Sequence, residues 1–342
     1  MSERAAARIA FIGAGNHATQ SLYPNIAHLP EFDLVAVCDL DAGRAEHAAR
    51  RFGAPRVFTD VAALLGEVEL DGACVCGPAE MHHQVGLQLL QRGLPVWMEK
   101  PPALDLAGAR ELVACAAEQG TWGMVGFMKR FAPASLVAKE YMASPEFGAL
   151  SALTLIHSSG PYDDLRRMLL FNGIHFIDLG RYLAGEVEEL FAYALERHPG
   201  AQAASVTFRF ASGAVGQLNM NSGHAWSHCW DTVYVSGENC GVLLEGCRAL
   251  EIMTPAGRFA EGAGLELYGW GRTYEVSGNL AGWASGGHYT RGYCGELAHY
   301  ARALLGQVEP RATLADGAAD MAIIEAILES AASGRPVSPA RA

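Results

Sequence analysis

Gly13-Ala14-Gly15-Asn16-His17-Ala18 sets a G-x-G-x-x-A pattern directly after an apolar run, Arg8 to Ile12, and ahead of a helix-like segment. The first glycine permits the tight turn, the second lets backbone approach a pyrophosphate, and the small Ala18 allows close helix packing. A helix N-terminus at that place offers unpaired N–H groups and about half a positive charge to an anion. The next apolar run, Leu34 to Cys38, ends at Asp39. A carboxylate there suits the adenosine ribose hydroxyls and repels a 2′-phosphate, which favours NAD over NADP. The alternative for Asp39 is a plain helix N-cap, and Arg44, further along, is the residue that would reach a phosphate instead.

Two further groups have the types needed for proton chemistry. Lys100 follows the apolar run Val96 to Met98 in Glu99-Lys100-Pro101-Pro102. A free lysine titrates near 10.4, so a lysine that accepts a proton at neutral pH needs burial or nearby positive charge. Oxidised nicotinamide supplies such charge, and ligand crevices form at the C-terminal ends of parallel strands. His175 and Asp178 lie in Gly173-Ile174-His175-Phe176-Ile177-Asp178 and share one helical face, where the carboxylate can orient the imidazole.

The elements that must position these groups follow from the apolar pattern. Arg8–Ile12, Leu34–Cys38, Gly72–Cys76, Val96–Met98 and Trp122–Val125 read as buried strands. Helix-like stretches at 44–52, 61–66, 82–93 and 106–119 alternate with them. That grammar means a parallel sheet with helices on both faces. Beyond about residue 125 it changes: 148–157, 204–210, 214–221, 231–236, 241–244 and 250–253 read as strands joined by short turns, hence a largely antiparallel sheet. One helix interrupts them near 173–184, and two close the chain near 291–305 and 316–333. The expected class is α/β: an N-terminal Rossmann domain over 1–125, then an α+β domain over 126–342 for substrate binding and oligomerisation, whose closing helices pack back toward the first domain. Gly262–Gly287 reads as a glycine-rich loop.

The chain has 342 residues, more than one hydrophobic core usually serves. A net charge of −12 argues against a nucleic-acid partner. No stretch has the roughly 20 apolar residues of a membrane span, and the start carries no signal-like apolar core. The eight cysteines show no zinc-like C-x-x-C pairs, so neither a metal nor a disulfide framework is expected and a cytoplasmic setting is. His224, His228 and Cys229 lie close in sequence without zinc spacing.

Glu99-Lys100-Pro101, together with the glycine turn, resembles the glucose-fructose oxidoreductase, inositol dehydrogenase and MocA (Gfo/Idh/MocA) family. The likeness covers nearly the whole chain. Gly77 to His82 resembles that family's loop before its fourth helix, Gly126 to Phe131 its crossing into the second domain, and Gly173 to Asp178 its Gly-x-His-x-x-Asp helix. The resemblance implies hydride exchange between NAD(H) and a carbinol or carbonyl of a sugar, polyol or nucleotide-linked sugar. Lys100 would be the acid/base and substrate ligand, and His175 a second ligand or acid–base partner. Pro78, His82 and Glu99 would lie on the cofactor side with Gly13, Gly15, Asn16, His17, Asp39 and Arg44. By their own places, Arg130 at the domain junction, Tyr162 and Arg166 in the polar loop before the His175 helix, and Asn172 beside Phe171 are expected to line the substrate side. The resemblance also implies a homodimer or homotetramer formed through the C-terminal sheet.

One position departs from the pattern. Dehydrogenases of the family commonly place an aspartate four residues before this histidine, in a relay to the lysine; here Phe171 stands there, followed by Asn172. Phenylalanine carries no proton. Either Lys100 and His175 suffice, or the path runs through water or another residue. Two rival functions share the scaffold: an NAD-retaining glycosidase-like enzyme working by transient oxidation, and a dinucleotide-binding sensor without chemistry. The complete Glu99-Lys100-Pro101 favours chemistry.

Overall fold

The computed structural model describes residues 6–341 except 199, 227–228, 239, 248, 255–256, 259–267, 270–271 and 276–286. His228 and most of the glycine-rich stretch 262–287 therefore lie outside the described residues.

The chain forms two compact units, one running up to Met128 and resuming over Gly292–Ala322, the other Lys129–Arg291 with Ile323–Ala340. The first unit opens with strands β1 (Ala7–Ile12), β2 (Phe32–Cys38), β3 (Arg56–Phe58), β4 (Gly72–Val75), β5 (Val96–Met98) and β6 (Gly123–Val125). Between them run α1 (Tyr23–His28), α2 (Ala42–Phe52), α3 (Val61–Glu67), α4 (Ala79–Leu90) and α5 (Leu106–Glu118), with a π-helical stretch, Ala18–Leu22, leading into α1. The strands lie in the order β3-β2-β1-β4-β5-β6, all parallel. The sense in which successive strands are added reverses between β1 and β4, the place where such sheets open a crevice at their C-terminal ends. Ile9, Phe11, Val37, Cys74, Trp97 and Met98 are fully or almost fully buried, as strands covered on both faces must be. Helix starts follow short acidic caps: the side chains of Asp41, Asp60 and Asp105 accept from Arg44, Ala63 and Gly108 N–H.

The second unit comprises α6 (Pro133–Met142), β7 (Ala152–Gly160), α7 (Leu165–Met168), α8 (Ile174–Ala184), β8 (Val187–Glu196), β9 (Gln202–Phe210), β10 (Val215–Ala225), β11 (Trp230–Ser236), β12 (Gly241–Glu245), β13 (Ala249–Met253), β14 (Gly257–Arg258), β15 (Tyr268–Gly269), β16 (Arg272–Glu275) and α9 (Gly287–Thr290). Its main sheet has the order β16-β13-β12-β11-β7-β10-β9-β8, while β14 and β15 pair separately. All neighbours are antiparallel except β7 and β10. That parallel pair exists because two intervening strands, β8 and β9, are laid on beyond β10. Val206, Phe208 and Phe210 are buried while the residues between them are exposed, the period of a strand with one wet face. A π-helical turn, Leu169–Gly173, feeds α8, which is buried along nearly its whole length.

Two helices close the chain, α10 (Tyr293–Leu304) and α11 (Leu314–Ser333). In the first unit, the Tyr300 hydroxyl donates within reach of Ala73 O (3.1 Å) and Pro95 O (3.0 Å), and Val125 N donates to Ala312 O (2.7 Å). Among the elements that escaped the periodicity reading are β3, β8 and α6. β3 is three residues long, too short to show a pattern; β8 carries a mixed face, and α6 begins at Pro133 behind an apolar Ala132 with no polar cap. Among the described residues no helix is long and apolar enough to cross a membrane.

Candidate active site

The glycine turn is built on a close approach. Gly13 has φ +105°, and a Cβ there would run into the carbonyl oxygen of Cys76 at the end of β4. Only glycine fits. A Cβ on Gly15 would meet open space, as a backbone facing a ligand requires. The Asp39 carboxylate accepts from Ala14 N (2.7 Å) and Asp41 N (2.9 Å), so it fixes the turn while its side chain keeps 11% exposure. It does not cap α2; Asp41 does. The Arg44 guanidinium lies 3.2 Å from Asp41 and 3.8 Å from Asp39. Arg44's backbone N–H and guanidinium hold the Asp41 carboxyl below its ordinary value. Two carboxylates thus compete with any phosphate for Arg44.

Glu99 is buried and bridges the turn to the lysine. Its Oε1 lies 3.0 Å from His17 Nε2, and its Oε2 accepts from Lys100 N at 3.1 Å. Burial alone would raise this carboxyl; the His17 hydrogen bond and charge, helped by Lys100, keep it below the usual range. His17, whose ring edge meets Tyr293 at 5.8 Å between centroids, therefore directs its imidazole to Glu99, and its neighbour Asn16 is an exposed first residue of the helix. Lys100 itself is half-buried at the end of β5.

His82 goes to the loop. Its Nε2 faces Gly77 N–H at 2.9 Å and its Nδ1 faces Pro101 O at 2.8 Å, so one nitrogen accepts and the other donates. Both ring nitrogens are engaged by backbone, and neither is left for a hydrogen bond to cofactor. Burial lowers its pKa, so the ring is neutral. Pro78 is the N-cap of α4.

In the second unit, His175 is buried on α8. Asp178 forms a bidentate pair with Arg130, whose Nε lies 2.8 and 2.9 Å from the two carboxylate oxygens and whose guanidinium stacks over Tyr182. Arg130, expected on the substrate side, is thereby paired with a carboxylate of its own unit. Arg166 likewise forks onto Glu325 of α11, one contact at 3.1 Å. Both pairings were hidden for one reason: sequence spacing showed the charges but not the carboxylates that folding sets beside them.

Tyr162 and Asn172 do meet. The Asn172 Nδ2 donates to Tyr162 Oη (2.7 Å) and Ser159 Oγ (3.0 Å), and the two hydroxyls lie 2.9 Å apart. Phe171 is 48% exposed, packed edgewise with Tyr162 and Trp226. The network continues into residues that sequence reasoning passed over. His157 Nε2 lies 2.7 Å from Ser159 Oγ, its Nδ1 is 2.6 Å from Asp231 Oδ1, and Asp231 Oδ2 accepts from Lys129 Nζ at 2.8 Å. The available signal was a polar run, His157-Ser158-Ser159, ending an otherwise apolar strand; all three side chains are buried.

Comparison with known proteins agrees with this architecture. The NAD-binding Rossmann-fold model of the oxidoreductase family Gfo/Idh/MocA matches residues 7–127, and the C-terminal domain model of the same family matches 137–242. D-glucoside 3-dehydrogenase of Escherichia coli K12 is 29% identical over 196 residues, covering 52% of this chain and 54% of the relative, so the chain spans about half the length of that protein. The scyllo-inositol 2-dehydrogenase (NAD(+)) of Bacillus subtilis 168 is 24% identical over 96% of this chain and 95% of its own. Among solved structures, a dehydrogenase from Chromobacterium violaceum superposes with a TM-score of 0.85 at 23% identity, covering 97% of both chains. Two matched domain models in order, a parallel nucleotide-type sheet and a mixed C-terminal sheet lead to one conclusion: the chain belongs to the Gfo/Idh/MocA oxidoreductase family.

Proposed function

We propose that this protein is an NAD(H)-dependent oxidoreductase acting on a carbinol or carbonyl of a sugar or polyol, with Lys100 as acid/base. The observation that carries the reading is the Glu99 bridge, which ties the lysine's backbone to the glycine turn through His17. The relatives named for glucoside and inositol oxidation support the substrate class.

The residues present fit the nucleotide. Open space beside Gly15, the partly exposed Asp39 carboxylate and the first N–H groups of the helix from Asn16 suit a pyrophosphate and a ribose diol. NAD, when bound, supplies hydride acceptance and return at its nicotinamide. Oxidising a carbinol releases a proton along with that hydride, and the Lys100 amine takes it from the hydroxyl. In the reverse direction Lys100 returns the proton to the carbonyl oxygen. His175 serves as a second substrate ligand. Copies of the chain associate through the sheet of the second unit, whose exposed Tyr193, Leu195 and Val215 are apolar.

Lys100→Met tests this reading. NADH binding, followed by fluorescence, is expected to stay within about twofold, while turnover falls roughly 10²- to 10⁴-fold, the usual worth of a positioned acid/base. Near-normal turnover would remove the lysine from the chemistry. Absence of NADH formation across inositols, aldoses, glucosides and nucleotide sugars would remove the oxidoreductase reading itself.

A further inference from the structure

Inside the second unit, Asp231, His157, Ser159 and Tyr162 form a line of hydrogen bonds that the reaction above does not use, flanked by Lys129 at one end and Asn172 at the other. Ser159, His157 and Asp231 have the contacts of a serine–histidine–aspartate triad. Ser159 is fully buried and already accepts from Asn172, so no electrophile reaches it. A nucleophile is excluded, and a relay is left.

The direction of the line follows from its end groups. Lys129 donates to Asp231 at 2.8 Å and lies over the Phe176 ring at 4.6 Å. Although burial opposes it, the Lys129 charge and the His157 hydrogen bond hold the Asp231 carboxyl far below its ordinary value. An ionised Asp231 only accepts, so His157 Nδ1 carries a proton. In the neutral ring Nε2 then accepts from Ser159 O–H, and Ser159 Oγ accepts from Tyr162 O–H and an Asn172 N–H. The other Asn172 N–H goes to Tyr162. Every donor points toward Asp231. Adding a proton at Nε2 reverses both hydroxyls: Ser159 donates to Tyr162, and Tyr162 donates outward.

The outer end lies on the turn that leads into α8 and His175. Both N–H donors of Asn172 are engaged internally, which leaves its Oδ1 as the acceptor not taken by any described residue. Beside it, Phe171 and Trp226 are about half exposed.

We propose that Tyr162, Ser159, His157 and Asp231 form a proton-holding relay that serves polyol chemistry in place of the side chain that Phe171 cannot provide, with Lys129 and Asn172 as its positioning residues. The proposal rests on the oxidoreductase reading. The step balances: an incoming proton binds Tyr162 Oη as that hydroxyl passes its own proton to Ser159, and Ser159 passes its own to His157 Nε2. No bond to carbon changes, and the imidazolium faces the Asp231 carboxylate. The other titratable groups near the line are Cys247, 3.5 Å from Lys129 Nζ on the turn after β12, Cys229 before β11, which bears on Tyr162, and Arg291, which bears on Lys129.

The test uses the full chain with ¹⁵N-labelled histidine, the His157 resonance being assigned from His157→Gln. Tyr162→Phe is expected to shift the His157 titration, Ser159→Ala to shift it also, and the double variant to show no added effect of Tyr162→Phe, because Ser159 carries the coupling. With myo-inositol and NAD⁺, Tyr162→Phe is expected to reduce kcat about tenfold or more and move the acid limb of the kcat–pH profile, with KM for NAD⁺ unchanged. Additive shifts in the double variant, or a Tyr162→Phe pH profile superimposed on that of the wild type, would overturn the relay. If no polyol yields NADH, the oxidoreductase reading fails separately, and the resonance coupling still decides whether the line conducts.

Discussion

His82 shows how one buried side chain can set a loop's pH sensitivity. Gly77 N–H requires an acceptor at Nε2 and Pro101 O requires a donor at Nδ1, and only the neutral imidazole meets both. Because burial lowers the folded-state pKa, the unfolded chain binds a proton first as pH falls. The sign is then fixed: the stability His82 contributes is present above the ordinary histidine value near 6.5 and is lost as pH drops from there toward the folded-state value. Urea titrations of wild type and His82→Gln at several pH values measure this. The variant is expected to lose roughly 1–3 kcal/mol at pH 8 and to show a shallower decline below pH 6.5. An unchanged slope would assign the acid sensitivity to His288 or His299, whose pKa values burial also lowers. Asp39 is a second residue with two duties, since it fixes Ala14 while it can face a ribose. Its sequence position suggested the second duty and concealed the first.

At the scale of elements, the β1–helix turn separates two kinds of glycine. Gly13 is required by the fold, because its φ is +105° and a side chain would collide with Cys76 O. Gly15 is not required by the packing of its unit, because a side chain there meets only open space, and on the proposed reading it is the cofactor that needs it. Gly13→Ala is therefore expected to lower Tm by several degrees and abolish NADH binding, the left-handed backbone alone costing about 1–2 kcal/mol. Gly15→Ala is expected to leave Tm unchanged while weakening NADH binding by tenfold or more. Thermal melts and NADH fluorescence distinguish them, and equal loss of Tm in both would refute the assignment. His17, just after the same turn, meets the buried Glu99 that follows β5, so one carboxylate connects two elements that the sequence shows only as separate motifs.

At the scale of the molecule, the first unit is made from two distant pieces of chain. Gly72 lies against Tyr300 and Leu304, Gly123 against Leu314, and Met124 bridges to Thr313. The fragment 1–128 thus lacks the packing partners of two of its strands, β4 and the edge strand β6. It is expected to be uncooperative in urea and open to protease, and adding a peptide of residues 292–322 is expected to restore a cooperative transition. Cooperative unfolding by the fragment alone would show that the closing segment is dispensable.

The sequence by itself determined the glycine turn, Asp39, the lysine at the end of β5, the alternation of the parallel half and the two-domain family, because each is carried by local spacing or strand periodicity. Folding alone decided that Arg130 goes to Asp178, Arg166 to Glu325 and His82 to two backbone groups. It also decided that His157, Ser159 and Asp231 meet across β7 and β11. The physical reason is that a charge or imidazole takes its partner by distance in space after burial, and strand pairing brings together groups far apart in the chain that no periodicity links.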